Sequence, residues 1–449
     1  MKIFLLAGLL GLACHAHAQD STVYRLDRLM QAWRDQGKFS GTILVAQKGK
    51  VLLHQGYGFK DQQQRSLNDT NTLYQIASVT KPFTSTLIGQ LVIAGKLSLT
   101  DKLQQFYPGF PHGDSITIGH LLTHTAGLWD YTRDVELMEE QTARSFSQEE
   151  IIRVFKDQPL DFAPGTGWSY CNAGYFLLGG IIEKKTGLSY EQAMRKYVFT
   201  PLGMRHSAFD FRNLVSVDKA IGYYADSSEA PSKKAPVVDS TVPWSAGSIY
   251  STAGDLYQWY RGLKSRVIIP QHWLDSAWLP RKNKYGYGWM TDSVFGRRVV
   301  SHSGGIFGFR SAFWMLPKED VCIVVLSNME TMSREEIARR LLAVVLRQPY
   351  SLPVMLKAVP VDTSVLRKYE GTYRITANGV VVVLALEHGR LIARPERGPA
   401  SELLALDNTH FFLSNEHEFR IRFELDAQGK VVQMMLNPKG TEKPALKIK

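Results

Sequence analysis

Ser78 and Lys81 stand at the head of a run, Val79, Phe83, Leu87, Ile88, Leu91 and Val92, whose spacing predicts the apolar face of an amphipathic helix. Positions i and i+3 share a helix face, so the Lys81 amine reaches the Ser78 hydroxyl. A serine hydroxyl is a weak nucleophile at neutral pH, and a lysine assists it when burial keeps the amine partly neutral. The helix N-terminus adds unpaired N–H groups and a positive dipole end, which favour the anion formed when the hydroxyl attacks a carbonyl. Pro82 fits the first turn, where its nitrogen has no intrahelical bond to lose. Taken alone, the same residues also fit a helix N-cap and a solvated lysine. A second Ser-x-x-Lys occurs at Ser216 to Lys219, but it leads into Ala220-Ile-Gly-Tyr-Tyr224 rather than into a helical pattern.

Two further groups follow along the chain. Tyr170-Cys-Asn172 comes after the turn Pro164-Gly-Thr-Gly167, and on an extended backbone its first and third side chains face one way. A phenol beside a lysine ammonium can have a lowered pKa and shuttle the serine proton, while an Asn amide can hold both the amine and a substrate carbonyl. Tyr170 read by itself fits a packing residue, as aromatics mostly are. His302-Ser-Gly304-Gly305 lies between Val299-Val300 and the strand-like run Ser311 to Leu316. Glycines on a strand let a ligand approach the backbone, so the Gly305 N–H can join that of Ser78 in an oxyanion hole, with His302 and Ser303 lining the same wall. A lone histidine beside a strand also fits a structural role.

These groups resemble the motifs of the serine β-lactamase and penicillin-binding-protein superfamily, in its class C β-lactamase, D-alanyl-D-alanine carboxypeptidase and family VIII esterase branch. Resembling segments include Ile118 to Leu128, Pro164-Gly165, Asn172 to Tyr175, Ala246 to Leu256, Tyr287-Gly-Trp289 and His302 to Phe309. The resemblance implies a serine hydrolase with Ser78 as acylated nucleophile, Lys81 and Tyr170 as proton-transfer pair, and Asn172 as positioner. It makes His302, Ser303 and Gly304 the third motif and Gly305 an oxyanion donor, with no cofactor. Nothing resembles the Ser-Asp-Asn of class A enzymes. Class C β-lactamases typically carry Lys-Thr-Gly where this chain has His302-Ser303-Gly304. A lysine is a fixed cation suited to a β-lactam carboxylate, whereas a histidine is largely neutral at pH 7. The favoured substrate is therefore a D-amino-acid peptide or small ester. A β-lactamase proper, a penicillin-binding sensor without turnover, and an inactive scaffold are the alternatives.

The chain has 449 residues, 44% of them hydrophobic, enough for a large core and more than one domain. Its formal charge of +11 is spread thinly, with basic residues at most in pairs such as Lys184-Lys185, which argues against nucleic acid as a partner. Residues 1–18 combine Lys2, an apolar stretch from Ile3 to Ala13, and Ala16-His-Ala18, and read as a signal peptide for a periplasmic or secreted protein. Cys14 is an alternative lipidation site. No later apolar run reaches the roughly 20 residues of a membrane span. His120 and His124 have metal-ligand spacing, but lack the Glu that a zinc protease needs between them, so they read as packing residues of a helix from Thr117 to a C-cap at Gly127. Cys171 and Cys322 permit one bridge arithmetically, though nothing in the sequence brings them together.

The pattern order predicts an α/β first domain, residues 20–347. In it, hairpins at Gly41 to Leu53 and Phe313 to Leu326 build one antiparallel sheet flanked by helices, around a helix-rich insert that carries Ser78, Lys81 and Tyr170. A closing helix begins at the capping box Ser333-x-x-Glu336. Arg297 or Arg298 is a candidate carboxylate ligand. Pro349, Pro353 and Pro360 mark a linker, 348–361. Residues 362–449 read as short strands with turns at Asn378-Gly379, His388-Gly389 and Gln428-Gly429. They resemble the lipocalin-like barrel appended in this branch, a place for packing or partner contact.

Overall fold

The computed structural model describes residues 22–224, 233–330, 334–353, 356–396, 400–414, 419–437 and 442–449. Two compact units divide the chain between residues 353 and 354. The signal segment with Cys14, and Ser333 of the proposed capping box, lie outside the described residues.

The first unit is built on a six-stranded antiparallel sheet in the order Lys50–Tyr57, Gly41–Gln47, Val321–Ser327, Phe309–Leu316, Arg297–Ile306, Met290–Val294. Gly41–Gln47 pairs along its whole length with Val321–Ser327, so the two predicted hairpins share one sheet. Strand alternation sorts the side chains into two layers. Ile43, Val45, Ile323, Val325 and Trp314 pack with Leu26, Leu29, Trp33, Ile337 and Leu341 of helices 22–35 and Arg334–Val345. Leu44, Val300, Phe313, Met315 and Val324 face the helical insert.

The helix that follows Ser78 runs from Thr80 to Ile93 and as far as Gly89 is buried on all sides, not on one face. The polar residues that imitate an outer face, Thr84 and Ser85, are satisfied internally: Thr84 Oγ1 donates to Ser245 O at 2.6 Å and Ser85 Oγ to Tyr287 O at 2.6 Å. Phe83 stacks on Trp259 with ring centroids 4.0 Å apart. The helix predicted from Thr117 to Gly127 is shorter, Ile118–Leu122, with Thr117 and His120 forming a capping box. His124 takes a left-handed φ of +59°, which ends the helix early and turns the next residues into a loop. Gly127, at φ +75°, belongs to that loop rather than to a C-cap; a Cβ there would stand 2.0 Å from Phe162 O.

The second unit is a closed antiparallel barrel of eight consecutive strands, from Gly371–Ile375 to Lys443–Lys447. Glycines 379, 389 and 429 have φ between +74° and +80°, as the predicted turns require. The interior is filled by its own side chains, among them Tyr373, Phe411 and Tyr369 stacked on Phe423 at 4.0 Å. No helix among the described residues is long and apolar enough to cross a membrane.

Candidate active site

The Ser78 turn is strained and clamped. Ala77 adopts φ +48°, a left-handed conformation that is costly for a residue with a Cβ, and it leads into the 3₁₀ turn Ala77–Val79 that carries Ser78 to the helix start. Ile76 donates its N–H to Ile249 O at 2.9 Å, and its carbonyl accepts from Ser311 Oγ at 2.7 Å. Gly304 of the strand Arg297–Ile306 crosses this turn so closely that a Cβ would stand 2.2 Å from Ile76 O. The third motif therefore needs glycine here for backbone approach.

Lys81 is fully buried, with Nζ 3.0 Å from Ser78 Oγ, 2.8 Å from Asn172 Oδ1 and 2.8 Å from Ala246 O. Burial lowers its pKa to about 7, against an upward pull from Asp130. A neutral amine has two hydrogens and one lone pair. The two carbonyl oxygens take the hydrogens, and the lone pair is left for the Ser78 hydroxyl. Tyr170 packs its ring 4.9 Å from Lys81 Nζ. Its pKa is raised by burial, opposed by a hydrogen bond with Ser78, so it is a phenol at neutral pH and not the lowered-pKa shuttle expected from the sequence. The reason is burial, which penalises the phenolate more than the Ser78 hydrogen bond favours it.

The loop after Leu122 is the template for the second motif. His124 O accepts from Ser169 N at 3.1 Å, His124 Nδ1 from Cys171 N at 3.1 Å, and Leu128 O from Cys171 Sγ at 3.4 Å. Asp130 Oδ2 accepts from Asn172 N at 2.9 Å and from Asn172 Nδ2 at 3.0 Å. Cys171 has the extended φ of −143° that turns Tyr170 and Asn172 toward Lys81, and Asn172 starts the buried helix Asn172–Thr186. The thiol of Cys171 is pushed up to about 12 by burial, and both it and Cys322 are free.

His302 is buried, with Nδ1 2.7 Å from Ser303 O and Nε2 2.9 Å from the Tyr285 hydroxyl. A carbonyl only accepts, so Nδ1 carries the proton and Nε2 accepts from Tyr285. Burial first, and then the Lys81 charge, lower the His302 pKa to about 3. His124 lies against Tyr170 and Tyr285, at centroid distances of 4.3 and 4.5 Å, and is held neutral chiefly by burial. His120 Nδ1 accepts the Thr117 N–H of the capping box at 3.3 Å.

Some expectations need correction. His302 and Ser303 do not line one wall: His302 pairs with Phe313 of the helical face, and Ser303 with Ala312 of the opposite face, as alternation dictates. Arg297 pairs with Glu319 at 3.6 Å and Arg298 donates to Trp278 O at 2.8 Å, so both candidate carboxylate ligands are engaged elsewhere. The second Ser-x-x-Lys does not repeat this arrangement, since Lys219 Nζ donates to Arg212 O and Leu214 O. Gly305 is exposed, opposite Arg310. Sequence reasoning does not single out Asp130, Tyr285 or the Ala246 carbonyl. Asp130 lies just behind the resembling segment Ile118 to Leu128 and Ala246 opens another, and those positions are the signals that point toward them.

A six-stranded antiparallel sheet against a helical layer, with Ser78 and Lys81 at the head of the buried helix, defines the β-lactamase/transpeptidase fold, one of the serine hydrolase superfamily. The chain belongs to the Beta-lactamase family, whose pattern matches residues 26–347, and residues 356–447 match a domain of unknown function, DUF3471. It is 30% identical over 451 residues to Penicillin-binding protein 4* of Bacillus subtilis, covering 94% of this chain and 98% of that one. It is also 30% identical over 325 residues to Protein flp of Staphylococcus aureus, covering 68% of this chain and 63% of that one. Among solved structures, the octameric penicillin-binding protein homologue from Pyrococcus abyssi superposes with a TM-score of 0.68 at 24% identity, over 94% of this chain and 99% of that one. A penicillin-binding protein from Bacillus halodurans gives 0.64 at 26% identity, over 70% and 98%.

Proposed function

We propose that the chain is an exported serine hydrolase that forms an acyl-enzyme on Ser78 and cleaves an amide or ester. The carrying observation is the buried Lys81 amine, 3.0 Å from Ser78 Oγ, with a pKa of about 7 and its other two directions taken by carbonyl oxygens. Ser78 Oγ attacks the substrate carbonyl while its proton passes to Lys81. The Ser78 and Gly305 N–H groups hold the oxyanion. As the C–N or C–O bond breaks, the proton passes from Lys81 through the Tyr170 phenol to the leaving group. Water then attacks the ester, releasing the acid and restoring the Ser78 hydroxyl.

Among substrates, a D-amino-acid peptide or small ester is favoured over a β-lactam. In support, His302 stands where β-lactamases carry a lysine, is neutral, and has both ring nitrogens engaged. A second reading, an acylator that binds penicillin without turnover, is supported by the likeness to Penicillin-binding protein 4* along 94% of the chain. The barrel is read as a packing or partner-contact module. Export follows from residues 1–18, and N-terminal sequencing of the mature protein is expected to begin at Gln19.

The test incubates the purified mature chain and Ser78→Ala with a fluorescent penicillin and a p-nitrophenyl ester, following intact mass and ester release. Ser78-dependent ester turnover with weak penicillin labelling supports the hydrolase. Stable labelling without turnover supports the acylator, and no Ser78-dependent reaction with either reagent removes the assignment.

A further inference from the structure

Asp130 is a buried carboxylate whose hydrogen bonds grip the second motif and its own turn. Its Oδ2 accepts both from Asn172 N, at 2.9 Å, and from Asn172 Nδ2, at 3.0 Å, while Oδ1 accepts from Thr132 N at 3.0 Å. An asparagine amide can turn end for end with little change in shape, and its neighbours decide which end faces which way. An ionised carboxylate accepts and never donates, so it holds the nitrogen end. That directs Asn172 Oδ1 at Lys81 Nζ, 2.8 Å away. Were the amide reversed, its NH₂ would face Lys81, the lysine lone pair would turn toward Asn172, and the Ser78 hydroxyl would lose its base.

We propose that Asp130 is a positioning residue that fixes the orientation of the Asn172 amide and, through it, aims the Lys81 lone pair at Ser78. The inference rests on the reading of Ser78 as nucleophile and Lys81 as base. The groups that face Asp130 are Lys81, Tyr131, Arg133, Tyr170 and Cys171, and Arg133 is itself paired with Asp161 at 2.6 Å. Lys81 is faced in addition by Tyr175, His124 and His302. Of the groups that oppose burial at Lys81, Asp130 comes first and Cys171 second, and the thiol is itself held neutral by burial, which leaves Asp130 as the anion there. Removing its charge, and the carbonyl contact it holds in place, both move the lysine pKa downward.

The test combines Asp130→Asn, Asp130→Ser, Asp130→Glu, Asn172→Ala and the double variant Asp130→Ser/Asn172→Ala. Its readouts are the pH profile of p-nitrophenyl acetate hydrolysis and the titration of Lys81 by NMR of ¹³Cε-lysine protein, assigned with Lys81→Arg. D130N or D130S is expected to lower kcat/KM by about 10²-fold, the size of effect usual for a misplaced catalytic group. Adding D130S to N172A should then cost less than about twofold more, because both act through one amide. The acid limb and the Lys81 titration should move to lower pH in D130N and D130S, with partial return in D130E. Multiplying losses in the double variant, or a Lys81 titration that stays in place or rises, overturn the proposal. If the wild type hydrolyses no ester through Ser78, the functional reading fails, while the lysine titration still decides whether Asp130 governs Lys81.

Discussion

Lys81 Nζ lies 3.0 Å from Ser78 Oγ, inside a cage where carbonyl oxygens of Asn172 and Ala246 occupy its other two near positions at 2.8 Å each. The cage serves the neutral amine, with a pKa of about 7. Protonation removes the lone pair that accepts the serine proton. Ester hydrolysis is therefore expected to follow an acid limb near pH 7 in kcat/KM, falling about tenfold per pH unit below it and reaching a plateau above about pH 8. A pH–rate profile corrected for Ser78→Ala background checks this, and a limb near pH 4 would remove Lys81 as the base.

The same burial makes Lys81 a stability liability. Its folded pKa lies below the unfolded value of 10.5, so between about 7 and 10.5 the unfolded chain binds more protons and stability rises with pH; below 7 the penalty is fully present. Lys81→Met is expected to abolish activity and to raise stability by several kcal/mol at pH 6, since each tenfold loss of proton affinity on folding costs about 1.4 kcal/mol. The gain should shrink as pH approaches 10. Thermal melts of both proteins at pH 6, 8 and 10 measure the gap.

Gly304 and Ile76 meet at a distance no side chain tolerates. In Gly304→Ala the new Cβ would sit 2.2 Å from Ile76 O and 2.4 Å from Ser311 Oγ, both of which brace the nucleophile turn. The strand or the turn must shift, at a cost of about 1–3 kcal/mol, with kcat falling by about 10²-fold or more from misplacement of Ser78. Gly37→Ala, where nothing lies within 4 Å of the added methyl although φ is +65°, is the control that should keep full activity. Denaturant melts and kcat for both variants provide the comparison.

His302 gains a charge only below about pH 4, since burial holds its pKa near 3. Lowering the pH from 8 to 5 should not create a cation for an anionic substrate. Penicillin acylation and neutral-ester hydrolysis are then expected to fall in parallel as Lys81 protonates, with a constant ratio. A ratio rising toward acid pH would mean that the third motif titrates in that range. Acylation rates from intact mass, set beside ester rates at each pH, give the ratio.

The barrel and the antiparallel sheet are both readable in outline, because alternation along Phe419 to Leu425 and the paired hairpins at either end of the first unit are local signals. The helix after Ser78 is different: its pattern reads as amphipathic, yet from Thr80 to Gly89 it is buried all round. Thr84 and Ser85 look like a solvent face until Ser245 O and Tyr287 O are seen to accept their hydrogens. The Thr117 helix stops short of the length its pattern predicts because His124 turns into a left-handed conformation that no helix-stop signal in that stretch announces.

The order of the motifs and the candidates Ser78, Lys81, Tyr170, Asn172 and His302 are legible in residue type and short spacing, and the resemblance of those motifs points to the family, because these signals survive without coordinates. How the groups are charged and aimed is settled by the folded chain alone. Burial brings Lys81 to about 7 and His302 to about 3, and the Lys81 hydrogen bonds join residues as far apart as Ala246 and Asn172. The role of Asp130 is not legible in the sequence for the same reason: desolvation and amide orientation are set by what folds around a residue, and a linear pattern carries no record of that.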